Sequence, residues 1–148
     1  MRLYVKKYQA LTKAELYAIL KVRLSVFVIE QQCPYPELDD KDQFAYHVFV
    51  KEAGQIIAYL RVIEKGISYE EVSIGRVLTI KRSTGLGRVI MEAGIKVAKE
   101  KYGADKIRIE AQSYAKEFYA KFGFKQVSAE FLEDNIPHIE MLLELNDQ

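Results

Sequence analysis

The sequence predicts a mixed α/β, α+β-like fold: one mostly antiparallel sheet of about seven strands, about four flanking helices and one parallel crossover. The first observation is three strand-like runs, residues 45–50, 55–64 and 71–81, which short turns join into an antiparallel meander. The second is a change of apolar period from two to 3.6 over residues 86–102, followed by a strand pattern at 106–112. This strand–helix–strand unit predicts one right-handed parallel crossover.

The chain begins with a short strand and a helix that contains an arginine on its apolar stripe. Residues 2–6 have a strand pattern, and Thr12 and Glu15 have the spacing of a capping box at a helix start. Apolar residues follow at helical spacing, and Arg23 lies among them. Two interpretations of Arg23 stay open: a buried stem with its charge at the rim, or a charged group in a pocket.

The remaining elements alternate with loops and turns. The segment EQQCPYPELDDKDQ, residues 30–43, has two prolines and a carboxylate cluster, which predict a loop or an irregular helix. After the fifth strand, Ser113 can cap a short helix that Gly123 ends. The segments FKQVSAEF and HIEMLLEL, residues 124–131 and 138–145, predict two final strands.

Composition limits the classes of function. The 148 residues fit one domain, 1–148, and a net charge of +1 argues against nucleic-acid binding through a basic surface. The lone Cys33 excludes an internal disulfide, and two separated histidines make a poor metal site, so we expect no metal. Without a signal peptide or an apolar run of spanning length, we expect a cytoplasmic protein that does not bind membranes.

The glycine-rich turn RSTGLG, residues 82–87, predicts a diphosphate site between a strand and a helix. Free backbone N–H groups and the helix dipole attract an anion, and glycines let the backbone approach it closely. The turn lacks the Gly-Lys-Ser/Thr ending of a P-loop, and it lacks the third glycine of a dinucleotide fingerprint. A plain glycine turn is the alternative interpretation.

Two motifs in this order resemble those of a known family. R-x-x-G-x-G after a strand resembles the pyrophosphate loop of the GNAT superfamily of N-acetyltransferases. The segment 112–124 resembles a second GNAT motif at Ala115, Tyr119, Gly123 and Phe124, although Gln112 takes the place of a common asparagine. Over nearly the whole chain, the similarity is to the ElaA-like branch, in the segments 23–42, 58–61, 74–77, 111–112, 118–124 and 131–141.

The resemblance implies acetyl transfer from acetyl-CoA, as co-substrate, to a primary amine in a ternary complex without an acyl-enzyme. A bulge near Val77 is expected to leave a backbone N–H that polarises the thioester carbonyl. Cys33 lies outside the motifs, which disfavours a covalent route. The residues expected to contact the cofactor are Val77, Leu78, Arg82, Ser83, Thr84, Gly85, Leu86, Gly87, Arg88, Gln112 and Tyr119.

The chemistry also requires an acid, and a base would help. Tyr119 is the candidate general acid, because a phenol with a pKa near ~10 is protonated at neutral pH. The base that deprotonates the amine stays open among four candidates, which are Glu110, His138, His47 and Glu140. Structural roles for the two histidines are an alternative.

The acceptor site is predicted beside the acidic loop. Five carboxylates in residues 30–42 could attract an ammonium substrate, or they could belong to a solvated loop. The residues expected on the acceptor side are Glu30, Tyr35, His47 and Arg61.

Two other functions stay open at this stage. A protein of the same fold could hold acyl-CoA without turnover or regulate a partner. A small nucleotide-binding oxidoreductase would require an acidic ribose contact and a parallel sheet, which the sequence does not indicate. The acceptor is a small-molecule or peptide amine of unknown identity, and whether the chain forms a homodimer is open.

Overall fold

The structure, a computed structural model, describes residues 1–80 and 84–145 and has one sheet. Its strands are β1 Arg2–Lys7, β2 Ala45–Glu52, β3 Gln55–Ile63, β4 Val72–Thr79, β5 Lys106–Gln112, β6 Lys125–Gln126, β7 Phe131–Glu133 and β8 Ile136–Glu144. The α-helices are α1 Lys13–Leu24, α2 Leu86–Tyr102 and α3 Lys116–Ala120, and a π-helix, Ser25–Glu30, continues from α1. Short 3₁₀ turns are Tyr8–Ala10, Asp42–Phe44 and Ser113–Ala115.

The sheet topology confirms the predicted fold class. The strand order is β1-β2-β3-β4-β5-β8-β6, with β7 paired to β8. Every neighbouring pair is antiparallel except β4 and β5, which α2 connects in a parallel crossover. Over the described ranges there are eight strands and three α-helices, against about seven and four expected.

The additional strand arises where the sequence predicts one continuous strand over 124–131. Only Lys125–Gln126 and Phe131–Glu133 pair with β8. Between β7 and β8, Asp134 and Asn135 both have positive φ, 51° and 64°, and make a two-residue hairpin turn. Asp and Asn tolerate this conformation better than most residues, so the turn lies within the predicted break between 131 and 138 and lets β7 pair with the start of β8.

The helix ends follow local chemistry, with one exception. The capping box is confirmed: the Glu15 N–H donates to Thr12 Oγ1 at 3.0 Å, and the Thr12 N–H donates to Glu15 Oε1 at 2.9 Å. Gly103 ends α2 at a φ of 58°. The predicted cap at Ser113 is wrong, because Ser113 lies inside a 3₁₀ turn and its buried hydroxyl has no partner among the described residues.

The sheet separates two apolar clusters because strand side chains alternate between its faces. Val48 and Leu60 belong to the larger cluster with α2, whereas Phe49 and Tyr59 belong to the smaller cluster with α1. The sheet is therefore covered by α2 on one face and by α1 on the other.

A buried ion-pair network attaches the loop 31–41 to the sheet. Arg23, fully buried, donates from Nε to Glu37 Oε2 at 2.8 Å and from Nη1 to Asp42 Oδ1 at 2.7 Å. Arg61 of β3 donates from Nη1 to Asp42 Oδ1 and to Asp39 Oδ1, both at 2.9 Å. Arg23 is thus a charged group in an enclosed site, and the interpretation with its charge at the rim is wrong.

The network shifts the titration of its carboxyl groups. Burial alone would raise the pKa of Asp39, but hydrogen bonds from Arg61 and the charges of Arg61 and Arg76 lower it to about 2. Burial is likewise outweighed at Asp42, where Arg23 and Arg61 lower the pKa of the carboxyl group. Both carboxylates are therefore ionised at neutral pH, as the arginines beside them require.

Close packing of α2 predicts that Gly94 tolerates no branched side chain. A Cβ at Gly94 would lie 2.8 Å from Leu60 Cδ2 and 2.9 Å from Leu60 Cδ1. Gly94→Val is expected to lower the free energy of unfolding by about 1–3 kcal/mol more than Lys96→Val, because the clash with Leu60 outweighs the gain in helix propensity over glycine, whereas the exposed Lys96 accepts the same side chain without a clash. Urea unfolding measures both, and equal losses would mean that Leu60 moves aside freely.

The acid sensitivity of the fold is predicted to depend on Asp39. Since its folded pKa lies near 2 against an ordinary 3.8, its stabilising charge is present above pH 3.8 and lost as the pH falls towards 2. Asp39→Asn is expected to be less stable than the wild type by about 2 kcal/mol near pH 6, with the difference shrinking towards pH 2. Urea unfolding across this pH range tests it. A difference that stays constant with pH would show that the carboxylate acts through packing instead of charge.

Candidate functional site

The parallel strands β4 and β5 separate after a short contact. They pair only at Val72 with Ile107 and at Ser73 with Arg108. Beyond these pairs, β4 continues along β3 and β5 continues along β8. The sheet therefore opens between β4 and β5 towards their carboxyl ends, the edge at which α/β folds commonly bind ligands.

A β-bulge lies in β4 beside this opening. Tyr59 pairs with Leu78 and Arg61 pairs with Gly75, so Arg76 and Val77 together face the single residue Leu60. Arg76 has a φ of 54°, which is uncommon for a residue that is neither glycine nor asparagine. The bulge expected near Val77 is confirmed, and such a bulge takes a backbone group out of the ladder.

The amino end of α2 forms a cavity of about 520 Å³. Gly85, at a φ of 79°, precedes the first residue of the 17-residue helix, and the first turn of the helix contains no acidic residue. At Gly87, a Cβ would lie 3.0 Å from Phe118 Cε1, so any larger residue there would press against the Phe118 ring of α3. The cavity is lined by Thr79, Thr84, Gly85, Leu86, Gly87, Arg88, Glu92, Phe118, Lys121 and Phe122.

This cavity has the chemistry of an anion site. The first N–H groups of a helix have no partner within the helix, and the helix dipole places partial positive charge there. Arg88 and Lys121 add positive charge, opposed only in part by Glu92. Of the residues that the sequence assigns to this site, Arg82 and Ser83 lie outside the described residues.

Tyr119 lies in α3 and packs against the larger apolar cluster. It is half-buried and packs edge-on against Phe118 and Phe124, with ring centroids 5.1 and 6.1 Å away. Val77 packs against the same cluster. Burial raises the pKa of Tyr119, and no described residue is hydrogen-bonded to its hydroxyl. The phenol is thus held protonated at neutral pH.

Two titratable groups come together at the carboxyl end of β5. Glu110 and Gln112 share one face of β5, and Gln112 is the strand partner of His138. His138 Nδ1 lies 2.6 Å from the Ile136 carbonyl oxygen, which can only accept, so Nδ1 carries the proton and Nε2 is the basic nitrogen. Desolvation and the charge of Glu133 raise the pKa of Glu110, while His138 opposes this rise.

The other two candidate bases are held by structural partners. Glu140 accepts from Arg108 Nη1 at 2.9 Å, and Arg108 also donates to Glu71. His47, fully buried, donates from Nε2 to the Asp42 carbonyl oxygen at 3.0 Å and accepts from the Tyr59 hydroxyl at 2.7 Å. Desolvation by burial lowers the pKa of His47, which keeps its ring neutral.

The loop 31–41 forms a wall beside the end of β5. Gln112 Nε2 donates to Gln31 Oε1 at 3.3 Å, and Cys33 Sγ lies 3.8 Å from the Asp134 carbonyl oxygen. Tyr35 stacks under the Arg76 guanidinium, with 5.3 Å from Cζ to the ring centroid. The loop thus reaches β4, β5 and the β7–β8 turn at once.

The structure places the predicted acceptor residues in two groups. Glu30 is exposed at the end of the π-helix, and Tyr35 is half-buried beside the bulge. His47 and Arg61 are buried inside the network and its neighbours, so neither lines an open surface. Glu37, Asp39 and Asp42 turn inward onto arginines, so these three do not form the expected carboxylate-lined mouth.

Arg76 is a residue that the sequence analysis does not single out. It donates from Nε to Glu37 Oε2 and from Nη2 to the Glu37 carbonyl oxygen, both at 2.8 Å. Its only sequence signal is its place in the segment IGRV, 74–77, one of the stretches that resemble the ElaA-like branch. Neither its positive φ nor its partners can be inferred from that segment.

Two classes of feature are not found in the described ranges. Residues 1–80 and 84–145 contain no group of three or more His, Cys, Asp or Glu side chains placed to hold a metal ion. No helix within these same ranges is both long and apolar enough to cross a membrane.

Comparisons with known proteins agree with this geometry. The family described as "Acetyltransferase (GNAT) domain" matches residues 11–145. A UPF0039 protein of Schizosaccharomyces pombe is 39% identical over 144 residues, 95% of each chain. The ElaA protein of Escherichia coli is 32% identical over 142 residues, 93% of each chain.

Solved structures give the same result at the level of the fold. An acyl-CoA N-acyltransferase from Pseudomonas aeruginosa superposes with a TM-score of 0.91 at 36% identity, covering 97% of this chain and 99% of that one. The crystal structure of Escherichia coli ElaA superposes with a TM-score of 0.91 at 30% identity, with the same coverage. The chain therefore belongs to the GNAT family of acetyltransferases and is ElaA-like.

Proposed function

We propose that this GNAT protein transfers an acetyl group from acetyl-CoA to a primary amine by direct attack in a ternary complex. The observation that carries the proposal is the opening between β4 and β5, which the bulge in β4 borders. The opening lies at the carboxyl ends of these strands, and the amino end of α2, where the family's cofactor loop stands, follows β4 at the same edge of the sheet. An acyltransferase assignment follows from the family; the acetyl group and the amine are the proposed part.

The diphosphate of acetyl-CoA would bind at the amino end of α2. The N–H groups of residues 84–88 and the charge of Arg88 would hold it, together with Arg82 and Ser83 of the same motif. The pantetheine would extend along Val77 and Leu78, where β4 no longer pairs with β5. This arrangement leads the thioester to the bulge.

At the bulge, a backbone N–H near Val77 would donate to the thioester oxygen. Negative charge develops on this oxygen when the amine nitrogen attacks the carbonyl carbon, and a preorganised donor stabilises it. Collapse of the tetrahedral intermediate breaks the C–S bond and releases the thiolate of coenzyme A. Tyr119 would protonate this thiolate, because its phenol is protonated before the reaction.

The amine must lose a proton before or during attack, because an alkylammonium group, with a pKa of about 10.4, is not nucleophilic. Glu110 and His138 are the proposed bases, acting directly or through water. The raised pKa of Glu110 suits this role, and the hydrogen bond of His138 Nδ1 to the Ile136 carbonyl oxygen leaves Nε2 as the ring nitrogen that can accept a proton. The acceptor would lie between them and the loop wall, near Glu30 and Tyr35.

Cofactor binding predicts a charge effect at Gly85 that can be isolated. Asn and Asp have the same shape, and both tolerate the left-handed conformation of Gly85 better than other residues. Gly85→Asp is expected to bind CoA and acetyl-CoA at least about tenfold more weakly than Gly85→Asn, because its carboxylate opposes the diphosphate. Thermal shift measures both variants and the wild type with CoA, acetyl-CoA and NAD.

The wild type should be stabilised by about 2.7 kcal/mol at a hundredfold excess of CoA over Kd, and not by NAD. Equal affinities of the two variants for CoA would show that the diphosphate does not bind beside Gly85. A well-folded wild type that no CoA ester stabilises would contradict the proposed function. Binding of acetyl-CoA without turnover of any amine would favour an acyl-CoA-binding or regulatory role.

The acid role predicts a selective loss at Tyr119. Tyr119→Phe is expected to lower kcat by about 100-fold or more, while the KM for acetyl-CoA changes little, because only protonation of the thiolate is removed. Release of free CoA with an amine identified by screening measures the rate. Tyr114→Phe, at a residue that is 80% exposed, is the control and should retain wild-type rates. An unchanged kcat in Tyr119→Phe would contradict the acid role.

A further inference from the structure

We propose that Glu37 is a positioning residue for acetyl transfer: it holds Arg76 in its left-handed conformation and thereby fixes the bulge that polarises the thioester. This inference rests on the proposed function, since it assigns a task to the bulge in that reaction. It concerns a loop residue that the cofactor and acceptor assignments leave without a role.

The conformation of Arg76 requires an explanation outside its own strand. A φ of 54° crowds the Cβ of any residue except glycine, and Arg has no short polar side chain that could compensate locally. Such conformations persist where surrounding contacts impose them. The bulge allows this conformation at position 76, and the contacts of the Arg76 side chain hold the residue there.

Those contacts converge on the loop 31–41. Arg76 binds Glu37 through both the carboxylate and the backbone carbonyl, at 2.8 Å each. Its Nη2 lies 3.4 Å from Asp39 Oδ2, and its guanidinium lies over the Tyr35 ring. A guanidinium held through two nitrogen atoms and one face can neither rotate nor withdraw without losing several contacts together.

Glu37 is itself held from the opposite side. Its side chain is 1% exposed, and Arg23 of α1 donates to Oε2 at 2.8 Å and to Oε1 at 3.0 Å. The single oxygen Oε2 therefore accepts from the Nε atoms of both arginines. The helix α1 thus anchors Glu37, and Glu37 anchors Arg76 at the bulge.

Asp42 distinguishes this task from simple attachment of the loop. It belongs to the same buried network, and it binds Arg23 and Arg61 at 2.7 and 2.9 Å. No contact joins Asp42 to Arg76 among the described residues. Glu37→Gln and Asp42→Asn each remove one buried charge and keep the side-chain shape, but only the first loosens the bulge.

The first measurement uses the protein without ligand. A strong intraresidue NOE between HN and Hα marks a residue with positive φ, and we expect it at Arg76 in the wild type. It should persist in Asp42→Asn and weaken in Glu37→Gln. This result tests the mechanical link whether or not the proposed reaction is correct.

The second measurement is the infrared carbonyl stretch of bound acetyl-CoA labelled with ¹³C at the thioester carbonyl. In the wild type the bound stretch should lie below that of free acetyl-CoA, because the bulge N–H donates to the oxygen. Glu37→Gln should lose most of this shift with the Kd for acetyl-CoA little changed, whereas Asp42→Asn should keep it despite lower thermal stability. With an identified amine, kcat of Glu37→Gln should fall on the order of 100-fold without a matching rise in KM.

Arg76→Lys serves as the second variant if Glu37→Gln does not fold. It keeps the positive charge but, unlike the guanidinium, cannot donate to the Glu37 carboxylate and carbonyl oxygen at the same time. A full carbonyl shift in Glu37→Gln or in Arg76→Lys would overturn the inference, as would equal losses in Glu37→Gln and Asp42→Asn. If the wild type binds acetyl-CoA without a shift, the bulge does not polarise the thioester; the inference falls together with that step of the proposed reaction, while cofactor binding at the amino end of α2 stands. Failure of the wild type to bind acetyl-CoA overturns the proposed function, and this inference with it.

Discussion

The short parallel contact between β4 and β5 is the constraint on which the proposed site depends. After two residue pairs, each strand follows a different antiparallel neighbour, so the sheet cannot close between them. An ordinary sheet would satisfy these backbone groups internally, and a ligand could then reach only side chains. Here the open backbone edge can bind an extended ligand, and the bulge at Val77 turns a backbone group of β4 towards the opening.

An open sheet needs support from elsewhere, and the buried arginine–carboxylate network provides it. Removing one partner from such a network leaves a buried charge without compensation, so its members must be retained together. The network joins α1, β3, β4 and the loop 31–41. It therefore supports the strand β4, which forms one edge of the opening. Replacing it with apolar residues could stabilise the fold, but it would remove the contacts that define the conformation of Arg76.

The parts that the sequence predicts well are those with a local cause. The bounds of α2, its end at Gly103 and the meander follow from periodicity and glycine conformation, and the bulge follows from the family resemblance. The network escapes prediction because Arg23 and its partners are 14 and 19 residues apart, in a segment without periodicity. A carboxylate that faces water and one that faces a buried arginine cannot be distinguished in the sequence. Nothing in the sequence around Glu37 therefore predicts that its side chain turns inward. The misplaced cap at Ser113 has a related cause, because the 3₁₀ turn that contains it is set by where β5 ends.

The two halves of the proposed site therefore differ in physical origin. The cofactor half depends on a helix terminus and its glycines, which come from one short, continuous stretch of the sequence. The acceptor half depends on the loop 31–41, whose shape is set by long-range ion pairs and by contacts with Gln112 and Asp134. Because Glu37 belongs to this loop and also binds Arg76, the wall proposed to face the acceptor and the group proposed to polarise the thioester would share one anchor. On this proposal, acceptor recognition would vary at the exposed positions of the loop only while the backbone around Glu37 keeps its place, which would make specificity and chemistry depend on the same buried carboxylate.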